Sequence, residues 1–221
     1  MTRSKTPQLL VALLISAGCA AGTQTEHRQS VAVPASTQAN RADTTVNAQH
    51  AYTPADIEFM NGMIAHHAQA LVMSAWAVSH GANPAVRTLA DRITNAQKDE
   101  IAAMQKWLRD RHQPVPEPNP HGMTMNMNGM QHEMLMPGML TEAQLKQLDE
   151  ARGKEFDRLF LTFMIQHHSG AVTMVQQLFD TNGAAQDISV YKMASDIHAD
   201  QTTEIDRMQK MLASTIFEPA R

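Results

Sequence analysis

Polar and apolar positions divide this chain of 221 residues into stretches of different pattern. A short apolar run, Leu9 to Ile15, follows Arg3 and Lys5, while residues 23–53 are rich in Ser, Thr, Ala, Gln and Asn with no apolar period. From residue 54 onward apolar side chains recur every three to four positions, the period of helices with one buried face. Thr53-Pro54-Ala55-Asp56 supplies an N-cap, a proline at the first helical position and an acidic first turn, and His80-Gly81 closes that helix. Asn83-Pro84 opens a second helix that runs until Gln113 precedes Pro114. Thr141-Glu-Ala-Gln144 is a capping-box pattern for a short helix, and Gly153 marks its junction with a long helix through Asp180. Asn182-Gly183 turns the chain into a last helix over about 187–214. No segment reads as a period-two alternation, so the expected strand content is near zero.

The helical part repeats itself. Asp56, Phe59, Met63, Ile64, His66, His67, Ala70 and Met73 have identical counterparts in Asp157, Phe160, Met164, Ile165, His167, His168, Ala171 and Met174, at a constant offset of 101 residues. Gln97, Glu100, Ile101, Met104, Gln105 and Lys106 recur as Gln201, Glu204, Ile205, Met208, Gln209 and Lys210 at an offset of 104. Each half is a helical hairpin, 54–111 and 141–214, and the two are joined by a long connection over 112–140. Two hairpins that each expose an apolar face pair into an all-α four-helix bundle, expected over 54–217.

Composition narrows the function. A formal net charge of -4 leaves no broad basic surface for phosphates, which excludes nucleic acid as a partner. The unusual counts are 17 Met and 11 His against one Cys, thioether and imidazole without thiol. Residues 1–22 read as a secretory signal of lipoprotein type, in which Ser16-Ala17-Gly18-Cys19 resembles a lipobox and Cys19 becomes the lipidated first residue. The other reading is an ordinary signal cleaved near Ala20 or Ala21. The apolar run is too short to span a bilayer, so membrane contact is expected through a lipid anchor only. Residues 23–53 are then a flexible tether, and the protein is exported to the periplasm or cell surface.

At 100° per residue, Met63, His66 and His67 fall on one arc of the first helix, and Met164, His167 and His168 on the matching arc of the third. Thioether and imidazole directed at one spot suit Cu(I) or Ag(I). The bland alternative is a packed stripe whose histidines bond to carboxylates, for which Glu100 and Glu204 are the obvious partners. A third reading uses Asp56, Glu100, Asp157 and Glu204 with the histidines as a di-iron or di-manganese oxidase. Such bundles place Glu three residues before His, where this chain has Met63 and Met164.

The connection carries the densest signal. His121, Met123, Met125, Met127, Met130, His132, Met134, Met136 and Met139 bring seven of the 17 Met into 19 residues, interleaved with Asn, Thr, Gly and Pro. No amphipathic period emerges, so core packing does not explain them. Met-x-Met spacing in a flexible polar background lets thioethers close on Cu(I). Zinc and calcium fit poorly without Cys or clustered carboxylates. A metal-free reading, in which the Met-rich stretch is a docking surface, stays open.

The motifs Asp56-x-x-Phe59-x-x-x-Met63-x-x-His66-His67-x-x-Ala70 and Gln97-x-x-Glu100-Ile101, with their second copies, resemble the DUF305 family of bacterial exported proteins over about residues 54–214. The resemblance implies a ferritin-like bundle and, as in some members, copper binding at the cell envelope in support of copper resistance. It carries metal binding to Met63, His66, His67, Met164, His167 and His168, and also to Met73 and Met174. The expectation is therefore a non-enzymatic protein that buffers, sequesters or delivers Cu(I) or Cu(II), with silver as a possible substitute and a copper exporter or chaperone as a possible recipient. The alternatives are the di-metal oxidase and the metal-free helical binding module. Phe163 stands where the first copy has Gly62, and Leu161 where it has Met60, so the halves need not bind equally.

Overall fold

A computed structural model describes residues 52–127 and 130–217. The expected signal, Cys19 and nearly all of the tether lie outside the described residues. The elements are α1 (Pro54–Ser79), α2 (Pro84–Asp110), β1 (Met123–Met127), β2 (Met130–Met134), α3 (Glu142–Glu150), α4 (Gly153–Asp180) and α5 (Ile188–Phe217). Among the described residues no helix is long and apolar enough to cross a membrane.

Local chemistry sets the helix starts. The Thr53 hydroxyl accepts from the Asp56 amide while the Asp56 carboxylate accepts from the Thr53 amide at 2.7 Å, closing a capping box. Asn83 caps α2 through the amides of Ala85 and Val86 at 2.8 and 3.0 Å. Thr141 and Gln144 repeat the capping box at α3. His80, just past α1, reaches the Asp149 carbonyl at 2.9 Å and so ties the end of α3 to the first hairpin.

α1 packs along α2 and α4 along α5, and the two hairpins meet through α1 against α4. The four long helices make the expected bundle, and α3 lies beside α1 and α4. α1 and α4 run antiparallel, because the start of each is bonded to the turn that follows the other. Asp56 Oδ1 accepts the Ala185 amide at 2.7 Å, beyond the end of α4. Asp157 accepts the Asn83 amide at 3.0 Å and its side-chain amide at 2.8 Å, beyond the end of α1.

The connection departs from the expectation of no strands. β1 and β2 pair antiparallel, with Met123 opposite Met134, Met125 opposite His132, Met127 opposite Met130, Thr124 opposite Glu133 and Asn126 opposite Gln131. Counted as apolar, methionine does alternate with polar residues here at period two, the pattern of a strand. Opposed residues share a face of a ladder, so by register the methionine and histidine positions form one set and the polar positions the other.

Candidate metal centre

His66 and His67 on α1 meet His167 and His168 on α4 where these helices cross, and all four imidazoles are fully buried. The rings of His66 and His167 lie with centroids 3.8 Å apart and planes inclined by 38°. The outer histidine of each pair turns to the neighbouring helix of its own hairpin. His168 Nε2 donates to Glu204 Oε2 at 2.7 Å. His67 Nε2 lies 2.7 Å from Glu100 Oε2, an ion-pair distance that lacks the alignment of a hydrogen bond. Glu100 and Glu204 thus each attend one histidine, the second of the pair in both halves.

The inner histidines have less support. His66 Nε2 lies 3.1 Å from the Pro137 carbonyl, which can only accept, so this nitrogen carries the proton and Nδ1 carries the lone pair. Nδ1 of His66, of His67 and of His168 and both nitrogens of His167 are buried without a hydrogen-bond partner. Burying such groups unpaired costs about 1–3 kcal/mol each. Burial is the largest effect holding His66 and His167 well below the ordinary imidazole range, and the neighbouring histidines reinforce it. Burial also lowers His168, against the opposing pull of Glu204. His66, His167 and His168 are therefore biased toward the neutral imidazole, the form that binds metals.

The thioethers around this layer pair across the halves. Because α1 and α4 are antiparallel, Met63 of the first copy shares an apolar cluster with Met174 of the second, and Met164 shares one with Met73. All four are buried. The first cluster is joined by Met136 and Met139 of the connection, so a core role holds for these two where the sequence reading excluded one. Met136 sits against Gly62: a Cβ on that residue would come within 2.9 Å of the Met136 sulfur and 3.3 Å of the Met174 methyl. A Cβ on Gly170 would lie 1.9 Å from the Pro137 carbonyl oxygen. These two helical glycines form the cradle that lets 136–138 enter between α1 and α4 and brings the Pro137 carbonyl to His66. Gln69 fastens the ends of the connection, donating to the carbonyls of Pro120 and Leu140 at 3.0 and 3.1 Å and accepting from the Leu140 amide at 2.6 Å. A pocket of about 250 Å³, lined by Glu58, Phe59, Met136, Pro137, Met174 and Gln177 among others, opens onto the Met136–Met174 pair.

The remaining sequence candidates lie apart from the histidine layer. Asp56 and Asp157, expected beside the histidines, are ten residues before them on their helices, and both are consumed by the turn contacts at the bundle ends. His121, His132 and Met134 are exposed and Met123 is half-buried against the first cluster; Met125, Met127 and Met130 are placed by register alone. Sequence reasoning missed Gly170, Gln69 and the Pro137 carbonyl, and took Gly62 only as a difference between the copies. A signal existed, because Gly62 and Gly170 are poor helix formers inside long helices and each breaks the repeat, facing Phe163 and Gln69 in the other copy.

Among the described residues no three His, Cys, Asp or Glu side chains converge in an arrangement that could hold an ion. Hard cations that need several oxygens find no such set here. The donors that remain near the unpaired imidazoles are thioethers, a combination that fits Cu(I) and Ag(I).

Comparison with known proteins agrees with this picture. The family described as Domain of unknown function (DUF305) matches residues 56–212. A DUF305 fragment from Deinococcus radiodurans superposes with a TM-score of 0.60 at 30% identity, covering 74% of this chain and 98% of that one. A DUF305 protein from Streptomyces coelicolor, designated secreted, gives 0.60 at 29% identity, covering 76% and 97%. CopM in its Cu(II)-bound form gives 0.55 at 28% identity, covering 72% and 96%, and CopM structures with Cu(I) and with Ag are also similar. An uncharacterised protein of Acanthamoeba polyphaga mimivirus is 39% identical over 56 residues, 25% of this chain and only 37% of that protein.

Proposed function

The chain belongs to the DUF305 family, and from that premise we propose that it is an exported, non-enzymatic protein that binds copper at the cell envelope and buffers, sequesters or delivers it. The observation that carries this reading is the buried layer of His66, His67, His167 and His168, in which five ring nitrogens that have neither a hydrogen bond nor a carboxylate contact lie among buried thioethers. Neutral imidazole and methionine are a soft donor set without fixed charge, which favours Cu(I) and tolerates Ag(I). Met63, Met174, Met136 and Met139 supply sulfur on one side of the layer and Met164 and Met73 on the other. Glu204 orients His168 and pulls against the effect of its burial, as carboxylates behind metal-bound imidazoles do, and Glu100 lies against His67. The Met-rich hairpin serves as a separate Cu(I) capture segment. The copper- and silver-bound forms of CopM and the Streptomyces protein support metal binding and export. Lipidation at Cys19 and a copper exporter or chaperone as recipient belong to the same proposal.

The di-metal oxidase alternative loses two of its four carboxylates, since Asp56 and Asp157 bind turn amides. Anaerobic Cu(I) titration against a competing chelator tests the leading reading. The full chain is expected to hold Cu(I) far more tightly than a methionine-poor helical control. Replacing all four histidines by Gln is expected to lower the stoichiometry while leaving hairpin binding in place. Unchanged stoichiometry would move the site out of the bundle, and affinity no better than the control would end the copper reading.

A further inference from the structure

The two histidine–carboxylate contacts have the same length, one with and one without hydrogen-bond alignment, and the charges beside them differ, while Asp200 lies within electrostatic reach of both carboxylates and of Arg92. At the 104-residue offset that relates α2 to α5, Arg92 corresponds to Asp196 and Ala96 to Asp200. Arg92 stands over the second contact, its Nε 3.8 Å from Glu204 Oε1. The first contact instead borders a groove of about 590 Å³ between α2 and α5, with Asp99, Glu100, Asp196, Asp200, Lys192 and Met193 in its walls. Lys192 is the one basic residue among them and is bound to Asp196 at 2.5 Å. Glu100 is the floor of interest. Its Oε2 makes no hydrogen bond, and behind it lies His67, fully buried, whose Nε2 is also without a hydrogen-bond partner and lies at ion-pair distance, 2.7 Å, from that carboxylate.

We propose that this groove is the route by which hydrated divalent copper reaches the histidine layer: the carboxylates gather the aquated Cu(II), Glu100 relays it to His67, and Arg92 keeps the equivalent approach to His168 closed to cations. The proposal rests on the copper-binding reading above and involves no redox step. Carboxylate oxygens suit an aquated Cu(II), whereas Cu(I) prefers sulfur. Divalent copper then has an approach of its own, apart from the methionines of the hairpin. A cleft walled by one sign of charge raises the local concentration and association rate of the opposite ion, by tenfold or more at low salt.

The test is stopped-flow mixing of the full chain with copper(II) sulfate, followed by quenching of tryptophan fluorescence, at ionic strengths of about 0.01 M and about 1 M, where the Debye length falls from roughly 30 Å to roughly 3 Å. The unmodified chain is expected to associate fast at low salt and to slow with added salt. The double variant Asp196→Asn/Asp200→Asn is expected to associate about tenfold more slowly at low salt, to lose most of the salt dependence, and to keep its Cu(I) affinity. Arg92→Asn, which alters an exposed side chain on the other contact, is expected to speed association. Equal rates and equal salt slopes in the double variant would overturn the proposal, as would an unchanged rate in Arg92→Asn for the guarding role. Failure of the unmodified chain to bind Cu(II) at all is a different result, and it would overturn the copper reading beneath.

Discussion

Replacing Gly170 by alanine tests whether the connection is seated between α1 and α4 as described. The added Cβ would stand 1.9 Å from the Pro137 carbonyl oxygen, 2.4 Å from its carbon and 2.6 Å from Gly138 Cα. All three are backbone atoms, so no side-chain rotation relieves the clash and the segment must retreat by roughly an ångström. Met136 and Met139, 9% and 5% exposed, lose their burial if it does, at about 1.5–3 kcal/mol each for complete release. The contacts of the Pro137 carbonyl with His66 and of the Gly138 carbonyl with Gln166 add about 1 kcal/mol each. The gain in helix propensity from glycine to alanine returns only about 1 kcal/mol. Partial retreat places the expected net loss near the low end, about 4 kcal/mol. Urea unfolding of the metal-free chain measures it, with limited proteolysis within 112–140 reporting the released connection. Ser169→Ala, on the exposed side of the same turn, is the control for propensity and is expected to change stability by less than about 0.5 kcal/mol. A Gly170→Ala chain as stable as that control, with its connection equally resistant to protease, would refute the seating.

Two other outcomes follow from the same geometry. Asp56→Ala removes a capping-box partner, about 1 kcal/mol, and strands the buried Ala185 amide, about 1–3 kcal/mol, so thermal unfolding should show a loss of about 2–4 kcal/mol with copper stoichiometry unchanged; a change in stoichiometry would return Asp56 to the metal centre. Stability of the metal-free chain should also fall on acidification. His66 and His167 take up protons at lower pH folded than unfolded, so the unfolded state binds more protons once pH drops below about 6.5. Their contribution is complete above that pH and is lost below it, at up to about 1.4 kcal/mol per pH unit per group. Urea midpoints measured between about pH 7.5 and pH 5 check this, and a flat profile would mean that the two imidazoles are not buried neutral.

Helix boundaries and the histidine layer were legible because each rests on local chemistry. Thr53, Asn83 and Thr141 announce their helices through side chains that can reach only their own first turn. His66 and His167 face one another because one apolar arc occurs twice. What the sequence did not show depends on how the two copies are laid against each other. Met63 was read with the histidines of its own helix, but the antiparallel arrangement of α1 and α4 also groups it with Met174 of the other half. Asp56 and Asp157 looked like members of a central carboxylate set because they belong to the repeat, yet their bonds are made at the far end of the other hairpin. Two similar halves must also differ wherever a single connection touches them. Gly62 against Phe163 and Gln69 against Gly170 are such differences: Gly62 meets Met136 of the connection, and Gln69 and Gly170 meet it at different points. The strand pairing was hidden by treating methionine as chemistry rather than as an apolar residue.

The aspartate contacts at the bundle ends carry a consequence for the ancestry of the fold's symmetry. Asp56 is satisfied by the turn of the second hairpin and Asp157 by the turn of the first. A lone hairpin bearing this aspartate has no turn of its own within reach, and could satisfy it only against a second copy related by a twofold axis. Such a homodimer would assemble the same four-histidine layer from two identical subunits, without the connection, its methionines, or the contrast of charge between the two carboxylates. Covalent fusion of the halves is thus what allows one side of the layer to differ from the other.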